Sequence, residues 1–445
     1  MWITQQSLKP RGYRDFLRLA SPCAMGVNRA LWLYAFLVAA ITLGSWAVYW
    51  HTGDALTRPV FAASNQYKDL TLYAAKTARL HGGAEILGST YPPFNYPAPA
   101  AFVYKAFLYS LPGHQLFPYF AFLTICMMAF CIVVWRAAGF PRRCRWPLAV
   151  ALATTAVGYP LFYCAYLANI EIVVWALTAI GLCFLLKKKY LAAGLLIGLA
   201  VSVKPFVFLF LLLLVRQRRY KEAAAGAATA CMTILIALTV LNPNPVKAYQ
   251  FLRPSLKVYV DQYVRNIRPI DEQRFIHSPL DAAKSLSEIR KAHGLHPHQS
   301  VVLIERWIAE PDGWPAARHL AKWYPLFVAI SLVALLVAFY KLPLLNQLTA
   351  LGVAVTMFPP EAGDYTLLHL YIPFAALLIF LVREGAAKIP AGSMVALFVI
   401  YAFLFAPLTP LMIYAGDAKL LFLIALLVVT ARTPMQSTSW ADSIP

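Results

Sequence analysis

Acidic side chains are scarce in this chain: Asp and Glu number 19 among 445 residues, against 39 Lys and Arg. Charged residues make up only 13% of the whole and hydrophobic ones 60%. A soluble globular domain is about 45–50% apolar and about 25% charged, so that class is excluded. Cysteines are also few and badly placed for disulfides. Cys126, Cys131, Cys164, Cys183 and Cys231 fall inside apolar runs, and Cys23 and Cys144 in basic segments. Neither a disulfide framework nor a cysteine-based metal site follows from them. His293, His296 and His298 read as loop residues, not as a metal tract, and no Asp-x-Asp pair and no internal repeat occurs anywhere.

What the chain does have is long apolar runs separated by basic clusters, with a mean hydropathy of +0.62. Runs of that length cross a bilayer as helices, so the expected fold is an all-α polytopic membrane protein. The net charge of +20 sits in short loops between the runs. There it sets membrane orientation, and the partner it implies is the lipid bilayer, not nucleic acid. Residues 1–29 are basic, and the run after them is too long for the apolar region of a cleavable signal. They read as a cytoplasmic N-terminal segment, followed by a transmembrane domain over 30–431 and a cytoplasmic tail over 432–445.

Spans are expected at about 30–50, 114–135, 146–166, 170–186, 223–241, 322–340, 343–358, 366–382, 391–407 and 411–431. The apolar piece 98–111 is too short to cross about 30 Å of hydrocarbon. It reads as re-entrant or surface-lying within a first outer loop, 51–113. The run 191–215 is interrupted by Lys204-Pro205 and has basic residues at both ends. Each half reaches only about 20 Å, so it reads as a broken, re-entrant hairpin with Lys204 near its outer tip; a single proline-kinked span is the alternative. Counting hairpin halves, the bundle has about 10–12 transmembrane segments, plus juxtamembrane helices in the outer loops. A large outer loop covers 242–321.

This topology collects Asp69, Asn169, Glu171, Glu361, Asp364 and His369 at one face, with Lys204 pointing toward them. Polar groups near lipid are costly and tend to mark function. Asp69, Leu72, Tyr73, Lys76 and Leu80 follow helical spacing, which describes a helix lying at the membrane surface. A carboxylate held there can act as a general base; a solvated loop acid is the bland alternative. Lys204 suits an anionic headgroup, or else snorkels at a kink. Asn169 and Glu171 suit sugar hydroxyls, or else cap a span. His369 suits a phosphate or an acceptor hydroxyl, or else is structural. In the large outer loop, Arg253, Lys257, Arg265, Arg268 and Arg274 alternate with Tyr249, Tyr259 and Tyr263, a mixture suited to phosphate and sugar or to an ordinary amphipathic helix.

Two stretches resemble a known family. Asp69-Leu-x-x-Tyr73, the turn at Gly82-Gly83 and Tyr91-Pro-Pro-Phe-Asn-Tyr96-Pro97 are similar to the first outer loop of the GT-C glycosyltransferases of family 87. Asn169-Ile-Glu171, Gly198-Leu-Ala and Lys204-Pro205 resemble the family's later polar segment and hairpin. Ala168 stands where that family usually has glycine, and Tyr96-Pro-Ala replaces its Tyr-Pro-Pro. The resemblance implies a GT-C bundle whose reaction needs no metal or other cofactor. Such an enzyme transfers a hexose, best known as mannose, from a polyprenyl-phosphate-sugar donor to a glycolipid or glycan acceptor. It would work at the outer face of the plasma (inner) membrane in the cell envelope, inverting the anomeric centre. Asp69 would be the general base, with Tyr73, Tyr96, Asn169, Glu171, Lys204, Arg265, Arg268 and His369 in the substrate site. A transporter or flippase of polyprenyl-linked sugar is the rival reading. It predicts internal repeats and charges in mid-span, neither of which the sequence displays.

Overall fold

Backbone amides have no water to bond inside a bilayer, so a chain this apolar must satisfy them within helices or closed barrels. The computed structural model describes residues 22–52, 67, 69–70, 94, 96–109, 116–139, 144–259, 314–359, 363–385, 388–408 and 415–436, which are helical with short connections and contain no strand. Tyr73, Arg265 and Arg268, with most of the first outer loop and all of 260–313, lie outside the described residues.

Helix α1 (Pro22–Thr52) is followed by the short α2 (Ala98–Tyr109) and by α3 (Phe117–Ala137). The expected span at 146–166 is split at Gly158 into α4 (Arg145–Ala156) and α5 (Tyr159–Leu167). Next come α6 (Glu171–Leu186) and α7 (Tyr190–Val203), a 3-10 segment (Pro205–Leu211), the single turn α8 (Leu212–Arg216) and α9 (Tyr220–Leu241). After α10 (Pro245–Tyr259) and α11 (Trp314–Phe339), α12 (Leu344–Met357) leads to a second 3-10 segment (Asp364–Leu370) running into α13 (Tyr371–Glu384). Helices α14 (Ala391–Phe405) and α15 (Ala415–Arg432) complete the bundle.

Among the described residues, five stretches are long and apolar enough to cross a membrane, namely 26–47, 117–137, 145–167, 220–241 and 364–384. Six more apolar helices are shorter over the described residues. Large apolar side chains cover the outside, as with Phe36, Leu43, Ile125, Val157 and Val337, while an aromatic cluster of Tyr34, Phe374, Phe398, Tyr401 and Phe405 fills the centre. Apolar surface outside as well as inside is what lipid demands, since it gives no hydrophobic drive for helices to associate.

Close packing therefore has to come from small residues, and α7 against α9 shows it. A Cβ on Gly194 or Gly198 would strike the Glu222 or Gly226 carbonyl, and one on Gly226 would lie 2.7 Å from the Gly194 oxygen. The spacing Gly194-x-x-x-Gly198 places both glycines on one face of α7. The same neighbours set the path of the chain beyond Lys204. Leu214 lies beside Gly194 and Leu211 beside Gly226, so the segment 205–216 runs back along α7. The broken-hairpin reading is the one realised, with Lys204 at its turn.

Candidate functional site

Three interruptions in the helices open at the same end of the bundle. In the first, α5 stops at Ala168, which adopts the left-handed conformation with φ 52°. That conformation costs an L-residue with a Cβ roughly 1–2 kcal/mol. It is held by the Tyr119 hydroxyl, which donates to the Cys164 and Asn169 carbonyls at 3.0 and 2.9 Å. The turn delivers Asn169 and Glu171 to the interior, 0% and 1% exposed. In the second, Lys204 is extended (φ −133°, ψ 106°) between α7 and Pro205; the proline has no N–H to continue the helix. In the third, the 3-10 segment Asp364–Leu370 precedes α13 and turns Tyr365 and His369 toward the other two.

The side chains at these breaks form one array. Asn169 donates from Nδ2 to Asp69 Oδ2 at 2.5 Å and to the Tyr96 hydroxyl at 3.2 Å. Its Oδ1 accepts the Glu171 backbone N–H at 2.9 Å. Glu171 in turn accepts from Lys204 Nζ through Oε2 and lies 2.7 Å from His369 Nε2 through Oε1. The Lys204 ammonium sits over the rings of Tyr365 (4.7 Å) and Tyr96 (5.6 Å). His369 is 1% exposed, and among the described residues its Nδ1 makes no hydrogen bond.

A cavity of about 180 Å³ opens beside the array, lined by Tyr96, Glu171, Lys204, Tyr365, Thr366 and His369 among others. Asp69, partly exposed, stands next to it through Asn169. Glu171 and Lys204 thus stand as an ion pair at the cavity wall. An ammonium has three donors; among the described residues Glu171 takes one, which leaves donors for an anion.

Of the candidates named from the sequence, Asp69, Tyr96, Asn169, Glu171, Lys204 and His369 come together here. Arg253 is exposed on α10 and is no part of the array. Tyr119 was missed: it lies in aromatic-rich helical sequence that reads as packing, and no spacing rule separates it from its neighbours.

The comparisons bear on the same residues. No curated protein and no solved structure matches the chain. Residues 94–274 match the model of Glycosyltransferase family 87, a stretch containing Tyr96, Asn169, Glu171 and Lys204 but neither Asp69 nor His369. Residues 94–274 are thus similar to glycosyltransferase family 87 and are set in a bundle of membrane-type helices.

Proposed function

We propose that the chain is a membrane hexosyltransferase. It transfers a sugar, with mannose the first to test, from a polyprenyl-phosphate donor to a hydroxyl of a glycolipid or glycan. The reaction takes place at the outer face of the plasma membrane and inverts the anomeric carbon. The observation that carries this reading is the convergence of Glu171, Lys204 and His369, from separate segments, on one cavity wall, with Asn169 joining Asp69 to them from beside it.

Each residue then has a task. Asp69, aimed by Asn169, takes the proton of the acceptor hydroxyl as its oxygen attacks the anomeric carbon. The bond from that carbon to the phosphate oxygen breaks, and polyprenyl phosphate leaves carrying the electron pair. Lys204 donates to the leaving phosphate, and His369, which lines the same cavity, is placed for a sugar hydroxyl. In this reading Lys204 takes the part that a divalent metal plays in other transferases, and the absence of Asp-x-Asp from the sequence favours it. Tyr96 and Tyr365 line the cavity in which the sugar would lie. Tyr73, Arg265 and Arg268 remain candidates for the acceptor and the phosphate.

The test is transfer of radiolabelled mannose from polyprenyl-phosphate-mannose to lipid acceptors in membranes bearing the wild type or Asp69→Asn. Transfer by the wild type, abolished in an Asp69→Asn protein of normal abundance and folding, supports the reaction and the base. Full activity in the variant removes Asp69 from the mechanism. No transfer by either protein counts against mannose, and failure with other polyprenyl-phosphate sugars counts against the reaction.

A further inference from the structure

Next to the proposed site lies a second buried ion pair that the transfer chemistry does not use. Lys419, near the start of α15, has Nζ 2.8 Å from Asp364 Oδ1, and both side chains are 0% exposed. The ammonium also lies over the Tyr159 ring at 4.8 Å. Neither residue lines the cavity. Removing two charges from water costs free energy that close pairing roughly offsets at best, and an apolar pair of similar volume is often as stable or more so. Stability alone is therefore a poor account of the pair.

Its position suggests a different one. Asp364 is the first residue of the 3-10 segment that carries Tyr365 and His369. The Tyr365 ring stacks on Tyr163 (6.2 Å, 7°), and Tyr163 stacks on Tyr159 (5.7 Å, 27°). The result is a row of three tyrosine rings with Lys419 at one end and Lys204 at the other. A 3-10 segment has poorer hydrogen-bond geometry than an α-helix and needs fastening if its side chains are to hold one position.

We infer that Asp364 and Lys419 are a positioning pair: Lys419 fastens the segment 364–370 from behind, so that Tyr365 lies under Lys204 and His369 meets Glu171. The kinetic part of this inference rests on the glycosyl-transfer reading; the structural part does not.

The deciding protein is the double variant Asp364→Leu/Lys419→Met, which removes both charges and leaves no unpaired ion if either single variant fails to fold. It is expected to unfold at the wild-type temperature, with turnover in the transfer assay reduced about tenfold or more, the size of effect that a small misplacement produces. The side-chain ¹⁵N resonance of His369, assigned by its loss in His369→Ala, is expected to move as the Glu171 contact loosens. A pair that only fills space would leave that resonance where it is. Wild-type turnover with an unmoved His369 resonance overturns the inference. A double variant that cannot fold also overturns it, because the pair would then serve the fold itself. If the wild type transfers no polyprenyl-linked sugar, the transfer reading fails, and the His369 resonance still decides the positioning role.

Discussion

Asn169 joins the two carboxylates of the site: its Nδ2 donates to Asp69 Oδ2 at 2.5 Å, and its Oδ1 accepts the backbone N–H of Glu171 at 2.9 Å. One side chain thereby aims the partly exposed acid and holds the backbone N–H of the buried one.

Replacing Asn169 with alanine should separate these duties. The lost hydrogen bond to the Glu171 N–H costs about 1–3 kcal/mol, which leaves the protein folded. Asp69 loses its orienting donor, and sugar transfer is expected to fall about 10–100-fold, the usual loss when a supporting partner is removed. Transfer rates and thermal unfolding in detergent, measured on the same preparations, check both statements.

Glu171 is 1% exposed and Lys204 19% exposed on their side chains. Removing one partner of a buried pair costs about 3–5 kcal/mol, because the other charge is left uncompensated; the partial exposure of Lys204 puts Glu171→Ala toward the low end. Glu171→Gln/Lys204→Met removes both charges and should be the more stable of the two variants. Thermal denaturation of Glu171→Gln, Lys204→Met and the double variant measures the coupling, and a double loss equal to the sum of the two single losses would show that the pair contributes nothing as a pair.

Gly198 allows α7 to lie against α9, since a Cβ there would meet the Gly226 carbonyl. Gly198→Val should cost about 3 kcal/mol or more, as overpacking against backbone does, and should displace Lys204 as well. Gly392 on α14 has nothing within 4 Å of an added Cβ. Gly392→Ala is expected to be neutral or stabilising by up to about 1 kcal/mol. Unfolding temperatures of the two variants should therefore move in different directions or by very different amounts.

Ala168 sits at φ 52° and is 0% exposed. Glycine would relieve about 1–2 kcal/mol of backbone strain, while losing a buried methyl worth about 0.8 kcal/mol and gaining chain entropy when unfolded. These terms nearly cancel, so Ala168→Gly should lie within about 1 kcal/mol of wild type. A β-branched residue is a true outlier at positive φ, and Ala168→Val should unfold well below wild type in the same measurement.

Much of this site could be read along the chain. Lys204-Pro205 inside an apolar run with basic flanks announced a break, and the structure reverses the chain there. Asn169 and Glu171 stood out as polar residues between two apolar runs. The family match covers both but stops short of Asp69 on one side and His369 on the other, so the joining of those two residues to the rest is a product of packing. Lys419 was invisible: a single lysine near the start of an apolar helix reads as an interfacial residue, and only the approach of Asp364 places it in the interior. Gly158, which splits the expected span at 146–166, gave no warning either. The reason for a glycine there is spatial, because a Cβ would lie 2.8 Å from the Tyr371 hydroxyl.

By itself, the sequence determined the helical class, the approximate spans, the placing of basic turns between them and the breaks that carry polar side chains. These follow from local rules, since lipid requires backbone bonds to close within each segment and each apolar run must match the bilayer's thickness. Only the tertiary structure decided who pairs with whom: Asp69 with Asn169, Glu171 with both Lys204 and His369, Asp364 with Lys419. Such pairs form when residues far apart in the chain come within about 3 Å of each other. That distance is set by how closely neighbouring helices can pack, which here comes down to a few glycines and stacked rings.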